Sequence, residues 1–179
     1  MLAKIRHSLS RQTLLNVYFA LFQSHLTYAS QIWGQPSTEV KKKVLTAQNK
    51  CLRIINFKGP LESADPLYKT NGILKLTDHI KLQNTLTAFK HHQNQLPSAL
   101  SEILTPKITS HSHYTRTHNN LYEIPDTKTI TFGSFGLRSL VPRNWNDLVT
   151  TLKIDPNTMT LKKFKKTVTT HLLQHYKTS

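Results

Sequence analysis

Apolar residues at Leu14, Tyr18, Leu21, Phe22, His25/Leu26, Ala29, Ile32 and Trp33 recur at steps of three or four. That spacing lays a single stripe along an α-helix. Gly34 suits the end of such a helix, because glycine takes left-handed backbone angles without a Cβ clash. Pro36 blocks continuation, and Ser37 is a good cap for a new helix. A second helix is predicted to follow, with Val40, Val44, Ala47, Cys51, Ile54 and Ile55 on one face. A linker this short folds two helices back as a hairpin. Leu21, Phe22, Ile32, Trp33, Val44, Ala47 and Cys51 are expected to be buried in its seam. Lys41, Lys42, Lys43, Lys50 and Arg53 occupy the rest of the second helix's surface.

The remainder is organised around shorter signals. Met1 to Arg11 is basic, and Ser10 is placed to cap the long helix. The run Asn56-Phe-Lys-Gly-Pro60 is a loop. Ser63 or Asp65 caps a short helix through Leu67, Tyr68 and Lys69 that closes at Asn71-Gly72. Ile80, Leu82, Leu86 and Phe89 mark a helix over about 78–93. Pro97 opens a short helix that stops before Pro106. Residues 107–122 are polar and aperiodic, as in a long loop. Leu121–Ile124 and Lys128–Phe132 alternate like two strands of a small β-hairpin. Val141–Leu148 reads as a short helix anchored by Trp145. A final helix over about 160–176 carries Leu161, Phe164, Val168, Leu172 and Tyr176 as its apolar stripe, with Lys162, Lys163, Lys165 and Lys166 over its first turns.

Charge narrows the partners. There are 24 Lys and Arg against nine Asp and Glu, a formal net charge of +15. Such a surplus points to a polyanion, with nucleic acid first and a membrane surface second. No apolar run approaches the about 20 residues that span a bilayer, and the basic N-terminus has no signal-peptide core or cleavage site. The chain reads as intracellular, in nucleus or cytoplasm. Its single cysteine excludes an internal disulfide and a cysteine-rich zinc site.

No catalytic set emerges. The acids are never adjacent, and none sits in the strand-like setting that holds two-metal carboxylates. Gly133 and Gly136 complete no phosphate-cradling motif, and no nucleophile elbow accompanies the ten histidines. His91-His92 and His111/His113 lack the cysteine or carboxylate partners of a structural zinc site, so no metal and no cofactor is expected. Trp33 and Trp145 read as core anchors, the alternative being a base-stacking platform. Arg116, Arg138 and Arg143 border the polar loop and the glycine segment, where arginines suit phosphate clamping. Ordinary surface solubility is their alternative role. Cys51 reads as inert core.

Five runs, taken in order, resemble a known family. They are LLNVYFALFQSHLTYASQIWG, LTAQNKCLRII, PLYKTNGILKLTDHIKLQ, FGLRSLVPRNWNDL and TLKKFKKTV-x-x-HLL. Together they look like the region downstream of the polymerase core in LINE-type, jockey-like non-LTR retrotransposon reverse transcriptases. In that family a similar LxxHLTYxxxxWG segment closes the thumb region. A W-N-x-L element and a lysine-rich helix end the reading frame. The chain departs from the pattern where a glycine usually follows HLTY, near Leu140-Val141, and at Val149, where the family has proline after W-N-x-L. The family's catalytic aspartates lie upstream in a palm domain that nothing here matches, so no polymerase residue carries over and the chain resembles a C-terminal fragment.

The expected fold is mainly α, with a helical bundle built on the long hairpin over 1–105. A module of loop, small β-hairpin and basic C-terminal helix follows over 106–179. The expected function is non-catalytic binding of RNA template or RNA–DNA hybrid. Lys41, Lys42, Lys43, Lys50, Arg53, Arg116, Arg138, Arg143, Lys162, Lys163, Lys165 and Lys166 are the candidate contacts. The alternative is an interaction module that docks on a reverse transcriptase core or another protein.

Overall fold

The computed structural model describes residues 2–28, 38–107, 120–129, 133 and 136–176. It is mainly α-helical, as expected, and has no strand among the described residues. Two compact units are present. One comprises Met1–Ile80 with Thr169–Ser179, the other Lys81–Val168.

The first unit opens with α1 (Leu2–Ile5) and α2 (Arg11–Val17). Ser10 caps α2 as expected, its Oγ accepting the Thr13 N–H at 3.2 Å. The helix then continues as a π-helical segment, Tyr18–Gln23, and a last α turn, α3 (Ser24–Thr27). It stops well short of Trp33, because Tyr28 has already turned to extended backbone at ψ 118°. Ile32 and Trp33 lie outside the described residues. The second long helix, α4, spans Thr38–Ile55.

The seam between them differs from the expected one. Leu21 is 48% exposed, Ala47 is exposed, and Phe22, Val44 and Cys51 are half-buried. Leu14, Leu15, Tyr18, Leu26, Gln48, Leu52 and Ile55 are buried instead. Two causes combine. In the π segment the backbone bond reaches one residue further, Ser24 N–H to Phe19 O, which rotates later side chains off the three-four count. On α4 a polar residue holds the buried centre. Gln48 Nε2 donates to Tyr18 Oη at 3.1 Å and to Leu74 O at 2.9 Å, and Tyr18 Oη donates to Gln23 Oε1 at 3.0 Å. Burial pushes the Tyr18 hydroxyl up to about 12. Gln48, Leu52 and Ile55 lie about 100° around α4 from Ala47 and Ile54.

Beyond α4, Arg53 Nε donates to Glu62 O at 2.6 Å and gathers the 56–62 loop, where Lys58 and Glu62 pair at 3.0 Å. Helix α5 (Asp65–Asn71) closes, as expected, at Gly72, whose φ of 62° is left-handed. Helix α6 (Leu76–His92) follows. Leu26, Leu76 and Ile80 pack together with Phe22 and Val44 against them. From the chain's other end, Tyr176 enters this unit. Its hydroxyl donates to Asp78 Oδ2 at 2.5 Å and accepts the Lys75 N–H at 2.9 Å. Its ring meets Tyr68 edge-on, and Lys75 Nζ pairs with Asp65 at 2.8 Å beside both rings.

The second unit is built on Trp145. Helix α7 (Ser98–Ser101) is short; α8 runs over Leu137–Leu152, longer than the predicted 141–148. A 3₁₀ turn at Pro156–Thr158 leads to α9 (Leu161–Gln174). Trp145 is fully buried against Phe164 and Tyr122, and Phe164 stacks on Phe89 at 4.5 Å. Its Nε1 donates to Asn120 O at 2.6 Å. Asn146 holds the next stretch by both ends of its amide, Oδ1 accepting Tyr122 N–H at 2.9 Å and Nδ2 donating to Tyr122 O at 2.8 Å.

The small β-hairpin is not found among the described residues. Residues 130–132 lie outside the described ones, and Tyr122 makes an antiparallel bridge with Pro106 instead. Lys107 N–H donates to Leu121 O and Glu123 N–H to Thr105 O. Pro106 falls between these bonds, at a position whose missing N–H costs nothing.

Candidate nucleic-acid interface

Helix α9 carries the coherent part of the site. Phe164, Val168 and Leu172 are buried along one stripe. Lys162 and Lys166 are four apart and Lys163 and Lys166 three apart, so these three share the face turned away from the stripe's centre at Val168. Lys165 stands at the edge of that face, and all four side chains are exposed. The helix begins at Leu161, with Thr160 Oγ1 accepting the Lys163 N–H at 3.4 Å, and has no acid in its first turn. The exposed N–H groups and the macrodipole make this end positive. Lysines here repel that end, so an anion bound among them is drawn by the ammonium groups and the dipole together.

The basic residues of α4 do not form one patch. Lys43 and Lys50, seven apart, share one face; Lys42 and Arg53, eleven apart, share another, roughly 80–100° away. Lys41 lies one helical turn before Val44 and two before Gln48 and is half-buried. Arg53 is engaged with the Glu62 carbonyl, which makes it a loop clasp first. Neither Lys43 nor Lys50 pairs with a carboxylate of the described residues.

The arginines differ from one another. Arg138 is exposed at a polar hollow of about 290 Å³ that it shares with Glu123 and Asp126, and those carboxylates compete with a phosphate for its guanidinium. Arg143 is exposed, its Nη2 at 3.5 Å from Ser139 Oγ. Arg116 lies outside the described residues. Sequence reasoning passed over Arg11, whose Nε and Nη2 donate to Asn56 Oδ1 at 3.2 Å and Asn71 Oδ1 at 2.7 Å. No local pattern marks it, since its partners are 45 and 60 residues away.

Glu62, Asp65 and Asp78 in the first unit serve structure. Glu62 takes the Gly59 N–H and Lys58, which hold its carboxyl below the usual range. Asp65 pairs with Lys75, and Asp78 accepts from Tyr176. His91 meets Tyr122 Oη at 2.7 Å and His92 meets Asn120 Oδ1 at 3.1 Å; His111 and His113 lie outside the described residues. Among the described residues no three His, Cys, Asp or Glu groups are gathered to hold a metal ion. None of the described helices is long and apolar enough to cross a membrane. The chain matches no protein-family model, no curated protein and no solved structure.

Proposed function

We propose that this chain is a non-catalytic nucleic-acid-binding segment that grips an RNA template or an RNA–DNA hybrid through its phosphates. The role follows from the resemblance to the C-terminal region of non-LTR retrotransposon reverse transcriptases. It places the chain beside a reverse transcriptase core, in nucleus or cytoplasm, with no active site or cofactor of its own. The observation that carries it is the lysine face of α9, three exposed ammonium groups at the positive end of a helix that lacks any first-turn acid.

Phosphate binding releases condensed counterions, so log affinity for a single strand falls with log salt by roughly 0.7 per phosphate contact. About four to six contacts give a slope of about −3 to −4. Changing Lys162, Lys163 and Lys166 together to Gln removes about three contacts and flattens the slope by about 2. The loss is similar for unrelated sequences, because phosphates carry no base information. Anisotropy titrations of a short labelled RNA between about 50 and 200 mM salt measure it. Tight binding that ignores salt, or no binding by folded protein at the low-salt end, overturns the proposal.

A further inference from the structure

In the first unit, a groove of about 370 Å³ opens between α1, the π segment and α4. Its walls include Leu2, Val17, Leu21, Phe22, Ala47 and Ile54, with Lys50 and Cys51 on the α4 side. Four of the residues that sequence periodicity assigns to a closed seam, Leu21, Phe22, Ala47 and Cys51, therefore line a groove. Two features keep it open. The π segment turns Phe19 and Leu21 outward, at 45% and 48% exposure, and such segments recur at functional sites. Gln48 draws the buried side of α4 about 100° away from Ala47 and Ile54.

The charged residue among those lining the groove is Lys50. Lys43, Ala47, Lys50 and Ile54 follow one another at steps of four, three and four, so Lys43 extends the groove-lining stripe by one turn. Glu62, Asp65 and Asp78 are bound elsewhere in the unit, Glu39 stands one turn before Lys43, beyond the groove, and no acid is among the described residues that line it. A second copy of this chain, with a net charge of +15, would bring lysines to lysines. The walls are helices with no free strand edge, which suits a helix laid in a groove. From Lys43 to Ile54 the stripe is about 16 Å long, the length of about three helical turns.

We propose that this groove docks an amphipathic helix of a partner protein, its apolar face on Leu21, Phe22, Ala47 and Ile54 and its carboxylates on Lys43 and Lys50. The interaction is separate from phosphate binding on α9 and does not depend on it. The probe is a blocked model peptide of about 14 residues, Leu at helical spacing on one face and Glu on the other. It binds with roughly micromolar affinity and slows alkylation of Cys51, the chain's only cysteine. Lys43→Gln with Lys50→Gln weakens it by about two- to fivefold and removes its salt dependence. Ala47→Glu, at an exposed helical position, weakens it by about tenfold or more through like-charge repulsion. The Lys162, Lys163 and Lys166 changes leave it unaltered. A Lys-faced peptide and a scrambled peptide of the same composition fail to bind. Equal binding of either control, no protection of Cys51, or indifference to Ala47→Glu in a protein with unchanged circular dichroism overturns the proposal. So does displacement of the peptide by RNA with loss of RNA binding in the Ala47→Glu variant, which would assign the groove to nucleic acid.

Discussion

Asn146 uses both halves of its amide on the backbone of Tyr122, and Trp145 beside it fills the core and reaches Asn120. The Trp-Asn pair thus pins an extended segment that has one bridge partner among the described residues. Asn146→Ala leaves two half-buried backbone groups unpaired, and such losses cost about 1–3 kcal/mol. Trp145→Ala empties the centre of its unit and costs about 3–5 kcal/mol. Urea midpoints should rank wild type, Asn146→Ala, Trp145→Ala; a neutral Asn146→Ala would mean that water replaces the clamp. His91 and His92 flank the same cluster. Burial pushes both imidazoles below the ordinary value of about 6.5. The unfolded chain then takes up protons before the folded one does. Stability present above about pH 6.5 is lost as pH falls through that value and below. The double variant His91→Gln, His92→Gln should lose less stability than wild type between about pH 7 and 5.5; parallel losses would assign the effect to other groups.

At the level of the element, α9 opposes its own dipole. Four lysines crowd the end of the helix where negative charge stabilises. Lys162→Glu should therefore raise stability by about 0.3–1 kcal/mol, helped by a new pair with Lys166 one turn on. It should weaken RNA binding at the same time. Thermal melts read against anisotropy test both signs, and a variant that is less stable or binds RNA more tightly would show that the lysine face has another role. Helix α9 was legible from its stripe because its buried residues keep helical spacing, whereas Ile80 and Leu82 of α6 lie about 200° apart and that helix is buried on both sides. Ile80, Leu82 and Phe89 are buried on α6 and Phe164, Val168 and Leu172 on α9. The first helix was legible through Tyr18, Phe22 and Leu26, which pack as their spacing predicts, but not at Leu21, which is exposed. Nothing in the composition of Tyr18–Gln23 distinguishes a π segment from an α turn, and the shift changed which side of the helix is buried.

Across the whole molecule, the acids bear on what chemistry is available. Glu62, Asp65 and Asp78 each hold a neighbouring backbone or side-chain group, and among the described residues no three His, Cys, Asp or Glu groups gather to hold a metal ion; the non-catalytic role proposed above carries its own test. Purified chain given a primed RNA template, nucleotides and magnesium or manganese should incorporate nothing; template-dependent extension would refute this. The basic surplus, the mainly helical architecture, the caps at Ser10 and Gly72 and the anchoring by Trp145 were decided by the sequence itself. Each rests on local spacing or on the chemistry of single residues. Tertiary structure alone decided the rest. Gln48 is buried with its Nε2 donating to Tyr18 and to the Leu74 carbonyl, 30 and 26 residues away. Residues 121–123 meet 105–107 because Asn146 and Trp145 hold them there. The stripe Ala47, Cys51 and Ile54 lines a groove with Leu21 and Phe22 of the π segment instead of closing a seam with them. A sequence shows which residues are apolar and at what period. Which apolar face is covered depends on polar bonds and helix phase, and those are settled by residues far apart in the chain.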